Sequence, residues 1–199
     1  MATKYLDLMF TDAVCRAQAQ YYGQAGKIAG APDRDQLGQA EAEFIAARDS
    51  FYLGSISESG WPYIQHRGGP AGFLRLLNET TLVFADYKGN RQLLSTGNLS
   101  VNDRVALFLM DYKNRERLKI LGHTRIEDAH AHPKLTEQVA DLNMRSSVER
   151  LVFIDVVAFD WNCPKYITPR YSAEEVEEVI GPLRTRITEL EAKLHTAKT

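Results

Sequence analysis

Between residues 51 and 161 the chain repeats one event six times: a short apolar run of strand-forming residues, closed by a turn or a short polar segment. The runs cover 51–57 (FYLGSIS), 61–67 (WPYIQHR), 80–85, 104–111 (RVALFLMD), 118–126 and 151–161 (LVFIDVVAFDW). The first two flank Glu58-Ser59-Gly60, a hairpin turn signature. In the first run apolar residues fall on both faces, as expected of a strand covered inside and out. Six short strands with few helices between them predict a mainly β (α+β) chain: a six-stranded antiparallel barrel with helices on its surface.

Helical spacing punctuates the strands. A short helix is expected from Thr11, where the Thr11 or Asp12 side chain can accept from an early N–H, ending at Gly23 or Gly26. A second runs over 35–48 with Leu37, Ala40, Phe44 and Ile45 on one side. A third, 90–99, turns Leu93, Leu94 and Leu99 inward, and a fourth occupies 133–143. In the tail, Val176, Ile180, Leu183, Ile187, Leu190 and Leu194 follow one another at steps of four and three, a heptad-like seam. Gly181-Pro182 predicts a break or kink in that helix. It fits either the chain's own barrel or a partner subunit. The resulting organisation is a helix and loop over 1–34, the barrel over 35–170 and a helical arm over 171–199.

With 24 Lys+Arg against 26 Asp+Glu, no overall field recruits nucleic acid or a membrane surface, so any anion recognition must be local. The two cysteines, Cys15 and Cys163, have no metal-binding or redox spacing, and a reduced, cytoplasmic setting is expected. The N-terminus lacks the pattern of a signal peptide, and no window reaches the ~18 apolar residues of a membrane span. His130 and His132 lack a third ligand in reach and read as a solvated turn, so no metal site is expected.

Two basic, turn-rich segments follow strand-like runs: Gln65-His66-Arg67-Gly68-Gly69 and Tyr87-Lys88-Gly89-Asn90-Arg91-Gln92. The second sits between a strand and a helix, where the first helical N–H groups point at an anion and Arg91 adds a guanidinium. Arg67, one strand over, can converge on it, and a dianion needs several such charge-assisted donors at once. The residues alone leave this reading open against surface arginines in loops. Neither GxGxxG nor GxxxxGK[ST] is present, which argues against a Rossmann or P-loop nucleotide domain.

In combination, WPYIQHRGG, GFLRLL, TLVFADYKGNRQ, GNLSVNDRVALFLMD and RLKILG, over about residues 40–170, resemble the pyridoxamine 5′-phosphate oxidase-related proteins, the FMN-binding split barrels. The resemblance implies a homodimer with FMN at the subunit interface. It matches Arg67, Asn90, Arg91 and Gln92 to the phosphate side. From the residues themselves, Gly68 lets backbone approach a ligand closely, and His66 either polarises the flavin or a substrate or bonds a loop. Phe84, Ala85 and Asp86 match the strand end under the flavin, and Arg117 a residue reaching the flavin of the other subunit. Trp161, Asn162 and Cys163 are placed near the cofactor.

The resemblance further implies an oxidoreductase that exchanges a hydride at flavin N5 with a small substrate, NAD(P)H being one candidate. Two departures argue against vitamin B6 oxidation: no Arg-x-His element closes the chain, and Gln92 stands where the enzymes usually carry Lys. The alternative is a non-enzymatic flavin- or haem-binding split barrel, with His66, His123 and His195 as possible axial ligands.

Overall fold

The computed structural model describes residues 3–161 and 164–197. Two short helices open the chain, α1 (Thr3–Met9) and α2 (Asp12–Tyr22), followed by α3 (Gln39–Ala46). Thr11 caps α2 by accepting from the Val14 N–H, and Gly23 ends it in the left-handed region at φ 76°, both as the sequence predicts. The helix α1 has no counterpart among the expectations.

The strands are β1 (Ser50–Ile56), β2 (Pro62–Gly68), β3 (Arg75–Asn78), β4 (Thr81–Tyr87), β5 (Arg104–Asp111), β6 (Glu116–Asp128) and β7 (Val148–Trp161). They form one antiparallel sheet in the order β2-β1-β5-β6-β7-β4-β3. Among the described residues the strand count is therefore seven, not six. The addition, β3, is a four-residue edge strand of sequence RLLN, too short to show a period of two.

The sheet curls on itself. Phe51 on β1 meets Phe84 on β4 edge-on at 5.5 Å, and Arg67 on β2 bonds Asp86 on β4 at 2.8 Å, although three strands separate β1 from β4 in the hydrogen-bonded order. Inside lie Phe51, Leu53, Phe84, Leu107, Leu109, Leu118, Ile120 and Ile154, all essentially inaccessible. A second cluster, with Val83, Ala85, Leu151 and Phe153, packs on the other face under α5 (Pro133–Val139). That double cover explains why β4 is buried from Leu82 to Asp86 without alternation. β6 carries a register shift at Gly122, where an added Cβ would lie 2.7 Å from the Asp155 carbonyl oxygen.

Helix α4 (Leu94–Val101) begins four residues later than expected; Leu99 is buried, but Leu93 and Leu94 are half exposed. The last helix, α6 (Ala173–Ala197), runs through Pro182 without the expected break. None of the described helices is long and apolar enough to cross a membrane.

Candidate functional site

The seam where β2 approaches β4 opens into a cleft of about 260 Å³, floored by strand ends and closed by the turn into α4. The turn is strained: Arg91 and Leu93 both adopt left-handed backbone, φ 62° and 54°. Each such non-glycine residue costs on the order of 1 kcal/mol or more, so the surrounding structure must hold it. Asn90 helps by accepting the Gln92 N–H at 3.1 Å. The first helical bond of α4 runs from the Gly97 N–H to the Leu93 carbonyl at 2.7 Å. The N–H groups of Leu94, Ser95 and Thr96 precede it, at the positive end of the helix beside the cleft.

Three guanidinium groups line the cleft, from Arg67, Arg91 and Arg150. Asp86, buried, accepts from Arg67 Nη1 at 2.8 Å and from Arg150 Nε at 3.0 Å, so one carboxylate aims two arginines from different strands. Glu149 accepts a further bond from Arg150 at 3.0 Å. Three cations against the carboxylates of Asp86 and Glu149 leave the lining one positive charge in excess. Arg67 is also held from below, its guanidinium 5.8 Å from the centre of the Phe84 ring.

Two buried polar atoms here have no partner: Arg67 Nε and Ser95 Oγ. Buried donors are almost always satisfied, so two orphans on residues that line one cleft set it apart. A phosphate has the right chemistry, since its oxygens accept from guanidinium, hydroxyl and backbone N–H together. The volume falls below the roughly 300–1,000 Å³ of a complete small-molecule site.

Of the residues singled out in the sequence, Arg67, Asp86, Asn90, Arg91 and Gln92 come together in this cleft. Phe84 lies buried beneath Arg67, in the barrel core. The others lie outside it. His66 follows its strand's alternation to the opposite face, exposed against the Tyr52 ring at 5.6 Å. Gly68, exposed at the end of β2, neighbours His66, and Ala85 points into the second cluster. Arg117 sits on β6 over the Phe108 ring, its Nε buried without a partner. Trp161 is fixed in the barrel wall, donating to Glu41 at 2.6 Å and meeting Phe44 edge-on. Asn162 and Cys163 lie outside the described residues.

Ser95 and Arg150 escaped sequence reading. Ser95 looks like any polar residue in a first helical turn, and Arg150 like a surface charge at the start of a strand. Arg150 is 64 positions from the carboxylate that aims it.

Residues 37–152 match the family model described as pyridoxamine 5′-phosphate oxidase. Among solved structures, HupZ of Group A Streptococcus superposes with a TM-score of 0.50 at 12% identity, over 68% of this chain and 99% of that one. A point variant of the same protein gives 0.50 at 12% identity, over 63% and 99%. An FMN-binding protein from Syntrophomonas wolfei gives 0.45 at 8% identity, over 80% and 95%. No curated protein matches the chain at a significant level. At these identities the HupZ likeness concerns the fold, which it carries as the split barrel; the family rests on the matched segment, more than half of the chain. The chain belongs to the pyridoxamine 5′-phosphate oxidase family.

Proposed function

We propose that the chain binds FMN, with the phosphate in the cleft between β2, β4 and α4, and acts as an FMN-dependent oxidoreductase on a small molecule. The observation that carries this reading is the pair of orphaned buried atoms, Arg67 Nε and Ser95 Oγ, beside the open N-terminus of α4. When bound, the flavin supplies hydride exchange at N5, with a reduced nicotinamide as the first donor class to test. The chain's own residues bind and orient. Arg67, Arg91 and Arg150 neutralise the dianion; Ser95 and the first N–H groups of α4 donate to its oxygens. Asp86 holds two of the arginines, and Leu93 and Leu94 present apolar surface at the mouth.

The same reading includes a homodimer. The outer face of β2, β1, β5 and β6 carries Tyr52, Ile64, Phe108 and Leu121 around an apolar trough. A second copy would cover that face. Arg117, on the same outer face, has the unpartnered Nε expected of a group reaching a flavin bound mainly by the partner.

The visible spectrum of the purified protein tests the cofactor. Flavin bands, retained through desalting, support the reading; a Soret band points to haem. A colourless protein that ignores added FMN overturns it. Oxidation of NADH or NADPH by the FMN-loaded protein then separates an oxidoreductase from a flavin carrier.

A further inference from the structure

The helix α6 leaves its apolar seam in water. Val176, Leu183, Ile187, Leu190 and Leu194 are 42–61% exposed, and only Ile180 among the seam residues is half-buried. A salt bridge of 3.1 Å between Lys113 and Glu175 ties the start of the helix to the β5–β6 turn. Most helical stability in proteins comes from packing of an apolar face, so a helix of 25 residues with its seam uncovered calls for a partner.

We propose that α6 pairs in parallel with α6 of a second copy, as a two-stranded coiled coil. This does not depend on the flavin reading. The seam is one residue wide, with steps of four and three, and is flanked by Glu177, Arg184 and Glu191 on one side and by Val179, Arg186 and Lys193 on the other. A helix lying on a sheet needs a broader stripe; a narrow seam edged by charge suits another narrow seam. In heptad terms Ile180, Ile187 and Leu194 occupy a, and Val176, Leu183 and Leu190 occupy d. Isoleucine at a with leucine at d favours two parallel strands.

Charge selects the same arrangement. In parallel, each Arg186 at g faces Glu191 at e of the other helix, giving two opposite-charge contacts by symmetry. Antiparallel pairing with full overlap sets Arg184 against Arg184, Arg186 against Arg186 and Glu177 against Glu191. Pro182 falls at position c, on the outward side of the seam. Water can there satisfy the carbonyl one turn back that loses its N–H donor. The acidic residues Glu174, Glu175 and Glu178 face outward too, so the seam itself carries little of the N-terminal charge.

Site-specific cross-linking of the full chain tests this. In a C15S/C163S background, Leu190→Cys places each thiol beside its own equivalent across the seam, whereas Ala192→Cys at f points both away. Mild oxidation should convert the first variant to a covalent dimer on a non-reducing gel and leave the second a monomer. Adding Arg186→Glu should lower the cross-linked fraction, and adding Glu191→Arg to that should restore it. The proposal is overturned if the Leu190→Cys variant stays monomeric or if both cysteines cross-link alike. Antiparallel pairing or packing on a barrel gives one of those results. A dimer held through the barrels alone cannot mimic the positional difference.

Discussion

Replacing Arg67 with Ala isolates the phosphate side of the site. The Arg67 guanidinium gives one N–H to Asp86 and keeps Nε buried and unpartnered, so at least one charge-assisted bond is left for a ligand. Such a bond contributes about 1.5–3 kcal/mol, and the substitution should weaken FMN binding roughly 10- to 150-fold. Asp86 retains Arg150 at 3.0 Å, so the variant does not strand a bare buried carboxylate. The assay is a paired titration, FMN and riboflavin, followed by quenching of flavin fluorescence. Loss of a phosphate ligand lowers FMN affinity and leaves riboflavin affinity nearly unchanged. If FMN binds the variant as tightly as the wild type, Arg67 is not a ligand. If both flavins weaken equally, the loss came from structural damage.

Three further outcomes follow from other parts of the molecule. Ser95→Ala should reduce FMN affinity by about 1 kcal/mol yet leave the flavin-free protein as stable or slightly more so, because the hydroxyl removed is buried without a partner; urea unfolding with and without FMN reads both signs. Gly122→Ala should destabilise by about 1–3 kcal/mol in thermal or urea unfolding, since the new methyl meets the Asp155 carbonyl oxygen at 2.7 Å, backbone that cannot swing aside. Burial works to raise the Asp111 carboxyl, but the Asn114 N–H and amide and the Arg48 guanidinium outweigh it and hold it below its usual 3.8. Its stabilisation is therefore complete above that value and is lost as pH falls through the depressed one. Asp111→Asn should be less stable than wild type at neutral pH and show a shallower loss of stability in acid.

The strands of the barrel were legible because each buries one face or both and so carries a run of β-branched and aromatic residues long enough to read. β3 was not, since four residues at a sheet edge show no period. The turn into α4 was legible for a local reason: Asn90, Arg91 and Gln92 are consecutive and sit between a strand and a helix. Arg150 was not, because its role depends on β7 pairing with β4, a contact between distant parts of the chain. His66 shows that neighbours in sequence need not be neighbours in space. One step along a strand reverses the face, and Arg67 and His66 look in opposite directions. Pro182 was expected to interrupt α6, but its place on the outward side of the seam lets the helix continue.

Calorimetric titration of the purified wild-type chain with FMN, and separately with riboflavin, tests the central claim most directly. The cleft's arginines and orphaned donors predict one FMN per chain, with riboflavin bound far more weakly and the difference shrinking as salt rises. Equal affinity for the two flavins, or no heat with either, would contradict a phosphate site between β2, β4 and α4.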